Sequence, residues 1–259
     1  MTIRELDRRL SALYPPSLSC DWDNDGLLVS PDPDAEIAGI LISLEVTDGA
    51  IREAEKLGYN LILTHHPLIF HPLSALTPET GVERRVTALY TRGISTLAYH
   101  TRADRASGGV NDRMVELLGL TDVEPFADGV PRFGTLPTPK TPEELAKTVS
   151  ELTGAKIALW SGKPRTVRRV AICCGDGKDY LAAACENGAD LYLTGELNYH
   201  YRLDADDLPM LTCEIGHDRS EMPFLDTLEK RVKEIAPALP VRIVREYHDD
   251  RFSPRTLDI

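Results

Sequence analysis

The 259-residue sequence contains no apolar run approaching the roughly 20 residues needed to span a bilayer, so the expectation is a cytoplasmic, reduced protein with no membrane partner. Near the start, Ile3, Leu6, Leu10 and Leu13 have the spacing of one face of an amphipathic helix, not the continuous apolar core of a signal peptide. Basic residues are also scarce, 29 against 41 acidic, for a formal net charge of −12. This balance argues against nucleic acid as a partner, because binding a phosphate backbone needs a basic face. The local patch Arg165-Thr166-Val167-Arg168-Arg169 reads as a solvated approach to a strand. Cysteine is sparse and odd in number: Cys20, Cys173, Cys174, Cys185 and Cys213, with no C-x-x-C spacing. That pattern excludes a fully paired disulfide framework and a Cys-type structural zinc site, and the five read as buried thiols.

What is present is enough apolar sequence, 42%, to bury a globular core, arranged in an alternating grammar. Ala38 to Val46 is an apolar run, Asp48 to Leu57 is helix-like, Gly58 punctuates, and Leu61 to Thr64 is a second run. The order recurs as Val167 to Cys174, Asp179 to Glu186, Gly188 and Asp190 to Thr194. Two related α/β halves are therefore expected. In each half a further apolar segment, Ser95 to Tyr99 or Met210 to Ile215, leads to a histidine with an acid four residues on: His100 with Asp104, and His217 with Glu221. The stretch from Asp128 to Glu144, with Pro131, Pro137, Pro139, Pro142, Gly129 and Gly134, reads as the boundary region, giving an N-terminal domain 1–127 and a C-terminal domain 128–259. A helix from Pro223 to Ile235 and a strand from Val241 to Glu246 can pair with either half.

Side chains that carry chemistry in open α/β sheets gather beyond the carboxyl ends of strands, and His65, His66, His100, Asp104, Glu196, His217 and Glu221 all fall there. His65-His66 followed by Pro67 puts two imidazoles at a strand end. Alone, this pair is as consistent with a structural role as with metal ligation; the nearby acids tip the balance. The combined nitrogen and carboxylate donors exceed one four-coordinate site. They suit two divalent ions, with Glu221 as the candidate bridge.

Five separated motifs then resemble one family. They are Asp21-Trp22-Asp23-Asn24-Asp25-Gly26-Leu27; Thr64-His65-His66-Pro67-Leu68-Ile69-Phe70; His100-Thr101 with Asp104 and Gly108-Gly109-Val110-Asn111-Asp112; Thr194-Gly195-Glu196 with His200; and Gly216-His217 with Ser220-Glu221. In that order, over about residues 20–225, they look like the NIF-three-like family, whose members are often labelled GTP cyclohydrolase I type 2 homologues. The resemblance implies two similar three-layer α/β domains with a dinuclear metal centre in the cleft between them, in a homohexamer built as a trimer of dimers. It implies His65, His66, Asp104, His217 and Glu221 as metal ligands and His100 as a residue orienting a ligand or the substrate. The resemblance is to the short form of the family, without the inserted domain that some members carry. It departs from the pattern at Glu45, where relatives usually have an aspartate, and at Tyr201, where they often have an acid.

Several of these residues have plainer readings. Trp22 and Asn24 close a turn or line the cleft. Gly108-Gly109 permits a tight turn or receives an anion, as does Gly175-Asp176-Gly177. His71 and His248 read as surface residues.

The expected function is a metal-dependent hydrolase with two divalent ions per chain, drawn from Zn, Mn, Fe, Co or Ni. Glu221, His100 and Glu196 are the candidate catalytic residues, the latter two as proton shuttles. The substrate is a small molecule, with a nucleotide among the candidates. Within enzymes a phosphoester hydrolase is the alternative; outside them, a metal-delivery or assembly factor that presents surfaces to other proteins.

Overall fold

A computed structural model describes residues 1–155, 159–163 and 165–245 of this mixed α/β protein. The chain divides into two compact units, one formed by Met1–Gly109 with Phe224–Arg245 and the other by Val110–Pro223.

The first unit opens with helix α1 (Ile3–Leu10), whose N-terminus is capped by the Thr2 hydroxyl accepting the Glu5 N–H, and whose Ile3, Leu6 and Leu10 are buried. The expected apolar stripe ends there. The chain turns after Leu10, leaving Leu13 exposed and burying Tyr14 in its stead. Strand β1 (Gly26–Val29) precedes three strands, β2 (Ile40–Ser43), β3 (Leu61–Thr64) and β4 (Ser95–Ala98), in which every residue is buried. Strands covered on both faces read as unbroken runs, which is why these do not alternate. Helix α2 (Asp48–Leu57) is capped by Thr47 and stopped by Gly58, whose φ of 69° is a left-handed conformation that favours glycine. Helix α3 (Gly81–Thr91) starts with a reciprocal Thr80–Glu83 capping box, and a short helix α4 (Thr101–Arg105) follows β4. Strands β2, β3 and β4 are parallel, and β1 closes against β4 antiparallel. Leu41 and Ile62 pack with Ala50, Ile51 and Ala54 of α2 and with Val86 and Leu89 of α3.

The second unit runs α5 (Val110–Leu118), β5 (Thr121–Pro125), β6 (Arg132–Lys140), α6 (Pro142–Thr153), β7 (Leu159–Ser161), β8 (Val167–Asp176), α7 (Leu181–Glu186), β9 (Leu191–Glu196), α8 (Tyr199–Asp207), β10 (Leu211–Glu214) and α9 (His217–Glu221). Its strands lie in the order β5-β6-β8-β9-β10-β7, with β8, β9 and β10 parallel. The helix expected over 179–186 is split into a 3-10 turn, Lys178–Tyr180, and α7. The proline- and glycine-bearing stretch 128–144 contributes β6 and the start of α6. Pro137 and Pro139 fall between Thr135 and Lys140, where the register with β8 shifts, and past Thr135, where pairing with β5 ends. Their missing N–H groups therefore cost little ladder bonding. Pro142 is the first residue of α6, where an N–H has no partner to lose.

The chain then returns to the first unit. Helix α10 (Phe224–Ile235) buries Phe224, Leu225, Leu228 and Val232, and strand β11 (Val241–Ile243) pairs parallel to β2. The first sheet thus has the order β1-β4-β3-β2-β11. Cys173, Cys174 and Cys213 are buried, whereas Cys20 and Cys185 are only partly so, and all five are thiols. Among the described residues no helix is long and apolar enough to cross a membrane. His248 lies outside them.

Candidate metal centre

In the first unit the donors stand at the carboxyl ends of β3 and β4. The backbone breaks from the strand immediately after Thr64: the Thr64 hydroxyl donates to the His66 carbonyl, and the His66 N–H donates to the Leu44 carbonyl. This turn overrides the strand rule that neighbours face opposite sides. The His65 and His66 rings come together with centroids 4.8 Å apart. His65 is fully buried, and its Nδ1 lies 2.9 Å from the Tyr99 carbonyl. A carbonyl only accepts, so Nδ1 carries the proton and Nε2 presents its lone pair. Asp104 Oδ1, on α4, is 3.7 Å from that Nε2. His66 turns Nδ1 toward Glu45 Oε1 at 3.5 Å, so the acid that departs from the family pattern faces a candidate ligand.

His100 immediately precedes α4 and belongs to the same cluster, its ring 5.3 Å from that of His65 and 5.4 Å from that of His66. One nitrogen from each of the three imidazoles lies within 4.8 Å of the others, a group that can hold a metal ion. His100 is oriented as His65 is, with Nδ1 2.8 Å from Asp23 Oδ1. Asp23 also accepts the Thr101 N–H at 3.1 Å and the Thr101 hydroxyl at 2.5 Å. Burial pushes the Asp23 carboxyl up. The bonds from His100 and Thr101 outweigh it and hold the carboxyl down at about 2. The role of Asp23 is not visible in the sequence, where the one local signal is the alternation of acids Asp21, Asp23 and Asp25.

In the second unit, His217 and Glu221 are the first and last residues of α9, with Nε2 and Oε1 3.4 Å apart. Glu196, at the end of β9, holds His217 Nδ1 at 2.9 Å. Glu221 is buried. The Coulomb attraction of Glu221, aided by the Glu196 bond and opposed by burial, raises the His217 pKa to about 11. A donor set whose carboxylates hold so strongly to a proton has the charge to hold a cation in its place. Two glycines let α9 lie this close. A Cβ on Gly175 would stand 2.3 Å from Glu221 Oε1, and one on Gly195 would stand 2.7 Å from Ser220 Oγ. Ser220 fixes the helix further by accepting the Gly175 N–H and donating to the His217 carbonyl.

The two halves correspond, with one correction. Tyr99 N–H bonds the Thr64 carbonyl in the first unit as Ile215 N–H bonds that of Thr194 in the second. By that register Tyr99 matches Ile215, His100 matches Gly216, and Thr101 matches His217. The two histidine-x-x-x-acid pairs are thus offset by one residue. Each serves its own geometry: His100 precedes its helix and His217 begins one.

His200 and Tyr201 are on α8, where Tyr201 donates to Asp179 Oδ1. His71 is exposed. Gly109 and Gly177 are packing positions, since a Cβ would meet the Ala103 carbonyl oxygen at 1.7 Å and the Tyr192 hydroxyl at 2.2 Å, respectively.

The fold and these sets define a two-unit α/β protein bearing histidine and carboxylate donors suited to divalent metal. A profile of the family described as Duf34/NIF3 (NGG1p interacting factor 3) matches residues 1–249, and the chain belongs to that family. It is 33% identical over 242 residues to the GTP cyclohydrolase 1 type 2 homolog of Clostridium perfringens, a match covering 90% of this chain and 92% of that one. It is 35% identical over 222 residues to the protein of the same name from Lactococcus lactis, covering 84% and 86%. Among solved structures, the Staphylococcus aureus hypothetical protein SA1388 superposes with a TM-score of 0.88 at 25% identity, covering 98% of this chain and 99% of that one.

Proposed function

We propose that this protein is a hydrolase dependent on two divalent metal ions, for which His65, His66 and Asp104 in the first unit and His217 and Glu221 in the second would be the ligands. The observation that carries the reading is the anchoring of imidazoles. His65 commits Nδ1–H to the Tyr99 carbonyl and so presents Nε2 in its ligating form, while carboxylates stand beside the His65 and His217 rings. When bound, such an ion pair supplies Lewis acidity and a nucleophile at neutral pH. His100, tied to Asp23, and Glu196, tied to His217, are the groups that move protons. The mixed nitrogen and oxygen donors accept Zn, Mn, Fe, Co or Ni.

The curated relatives carry the name of a GTP cyclohydrolase homologue, which makes a nucleotide the first substrate class to screen. We further propose a cytoplasmic homohexamer. Sedimentation at the 28.7 kDa of one chain would remove the hexamer. Elemental analysis of gently purified protein tests the centre itself: about two metals per chain are expected. Fewer are expected in His65→Ala and in Glu221→Gln, with turnover on nucleotides or phosphodiesters lost alongside. A folded wild-type protein that arrives without metal and takes up none on titration would overturn the reading.

A further inference from the structure

Beside the histidine cluster of the first unit stands a pair of large rings that neither the fold nor the metal donors require. Trp22 is 63% exposed and Phe70 is 38% exposed. A tryptophan left this open is unusual, since its bulk is normally buried. It is not a loose side chain on a loose loop. On either side of it the chain is tied down: the Cys20 N–H donates to the Thr101 hydroxyl, Asp23 grips His100 and Thr101, and Asp25 accepts from Arg102. The Asn24 side-chain amide donates to the Ile69 carbonyl, lashing the Trp22 loop to the one that carries Phe70.

Three rings meet here edge to face. Trp22 and Phe70 have centroids 5.9 Å apart at 62°, Trp22 and His100 6.3 Å at 75°, and Phe70 and His100 6.1 Å at 79°. His100 is shared, because the same ring lies 5.3 Å from His65 and 5.4 Å from His66. An aromatic surface thus runs without interruption from solvent to the candidate metal nitrogens. Preorganised rings of this kind bind flat π-faces through stacking and edge contacts, at little ordering cost.

We propose that Trp22, Phe70 and His100 form a substrate subsite for a planar heteroaromatic ring, which sits on the exposed indole with its reacting end toward His65 and His66. The subsite rests on the metal-centre reading for its reaction, but its binding does not. Trp22 and Phe70 are specificity-determining residues; no bond is made or broken at them.

The test uses the full-length, metal-analysed protein with guanosine monophosphate as the ring-bearing probe and ribose 5-phosphate as the ring-free one, titrated calorimetrically. The nucleotide should bind at least about tenfold more tightly than the sugar phosphate, and Trp22→Ala should weaken it roughly 5- to 150-fold, the range expected for one stacked base. Trp22→Phe should restore most of the loss, Phe70→Leu should weaken binding less, and metal content should hold in all three variants. Equal affinity for the two probes, or an unchanged nucleotide affinity in Trp22→Ala, overturns the subsite. A changed sedimentation coefficient in Trp22→Ala with unchanged ligand affinity also overturns it, making the indole a subunit contact. Ring-selective binding by a wild-type protein that takes up no metal would sink the metal reading and leave the subsite standing.

Discussion

Asp23, Tyr99, Glu196 and Glu221 each decide what a neighbouring imidazole can do, and their effects separate. Asp23 accepts from His100 Nδ1 with one oxygen and from Thr101 with the other, so Asp23→Asn, which keeps one oxygen and gains an NH2 donor, can no longer accept from both and loosens the hold on the tautomer. Changes of this kind beside a ligating histidine typically cost about 10- to 100-fold in metal affinity or activity. Competition with a chromophoric chelator should show whether His100 feels the metal at all; an affinity equal to wild type would confine His100 to the substrate side. For His217 the pH dependence has two opposite signs. In chelator-treated protein its raised pKa makes the protonated form stabilising, a contribution complete below the ordinary value near 6.5 and lost as pH rises toward about 11. Urea unfolding in EDTA should therefore show a wild-type advantage over Glu221→Gln that shrinks as pH rises above 6.5. Metal must displace that proton, so metal affinity should rise over the same range. The candidate ligands were legible in the sequence because histidines and acids at strand ends are few. Their orienting partners were not, since Asp23 and His100 are 77 positions apart and only the fold brings them together.

Strands and helices were read well where burial is complete on both faces and poorly where geometry is local. β2, β3 and β4 emerge directly from unbroken apolar runs. The prolines of 128–144 look like a boundary in one dimension, yet Pro137 and Pro139 occupy the part of β6 with little pairing to lose and Pro142 opens α6. The turn after Thr64 and the one-residue offset of α9 relative to α4 depend on single hydrogen bonds that composition does not encode. Helix α9 offers a direct test through its glycine contacts. Gly175 combines a φ of 70° with a Cβ position 2.3 Å from Glu221 Oε1, so Gly175→Ala should destabilise by about 1–3 kcal/mol and lower metal content. Gly58 has a similar φ of 69° and open space around it. Gly58→Ala should cost about 1 kcal/mol and leave metal content untouched. Denaturation midpoints and elemental analysis on the two variants, side by side, would show the difference; equal metal loss in both would mean the Gly175 contact is irrelevant.

For the molecule as a whole, the two units differ in how the chain builds them. Val110–Pro223 is one continuous segment with its own six-stranded sheet, whereas the other unit takes α10 and β11 from the far end of the chain. A fragment of residues 110–223 is expected to unfold cooperatively in urea, monitored by circular dichroism, and a fragment of residues 1–109 is expected to lack such a transition. The second lacks the four buried apolar residues of α10 and leaves β2 as an open edge. This has a consequence on the ribosome, where residues appear in order. The first three histidines of the candidate centre are synthesised early, but the sheet that holds them is completed only when Val241–Ile243 emerges and pairs with β2. The middle of the chain can finish folding while its beginning waits, with the edge of β2 held open for a strand still to be translated.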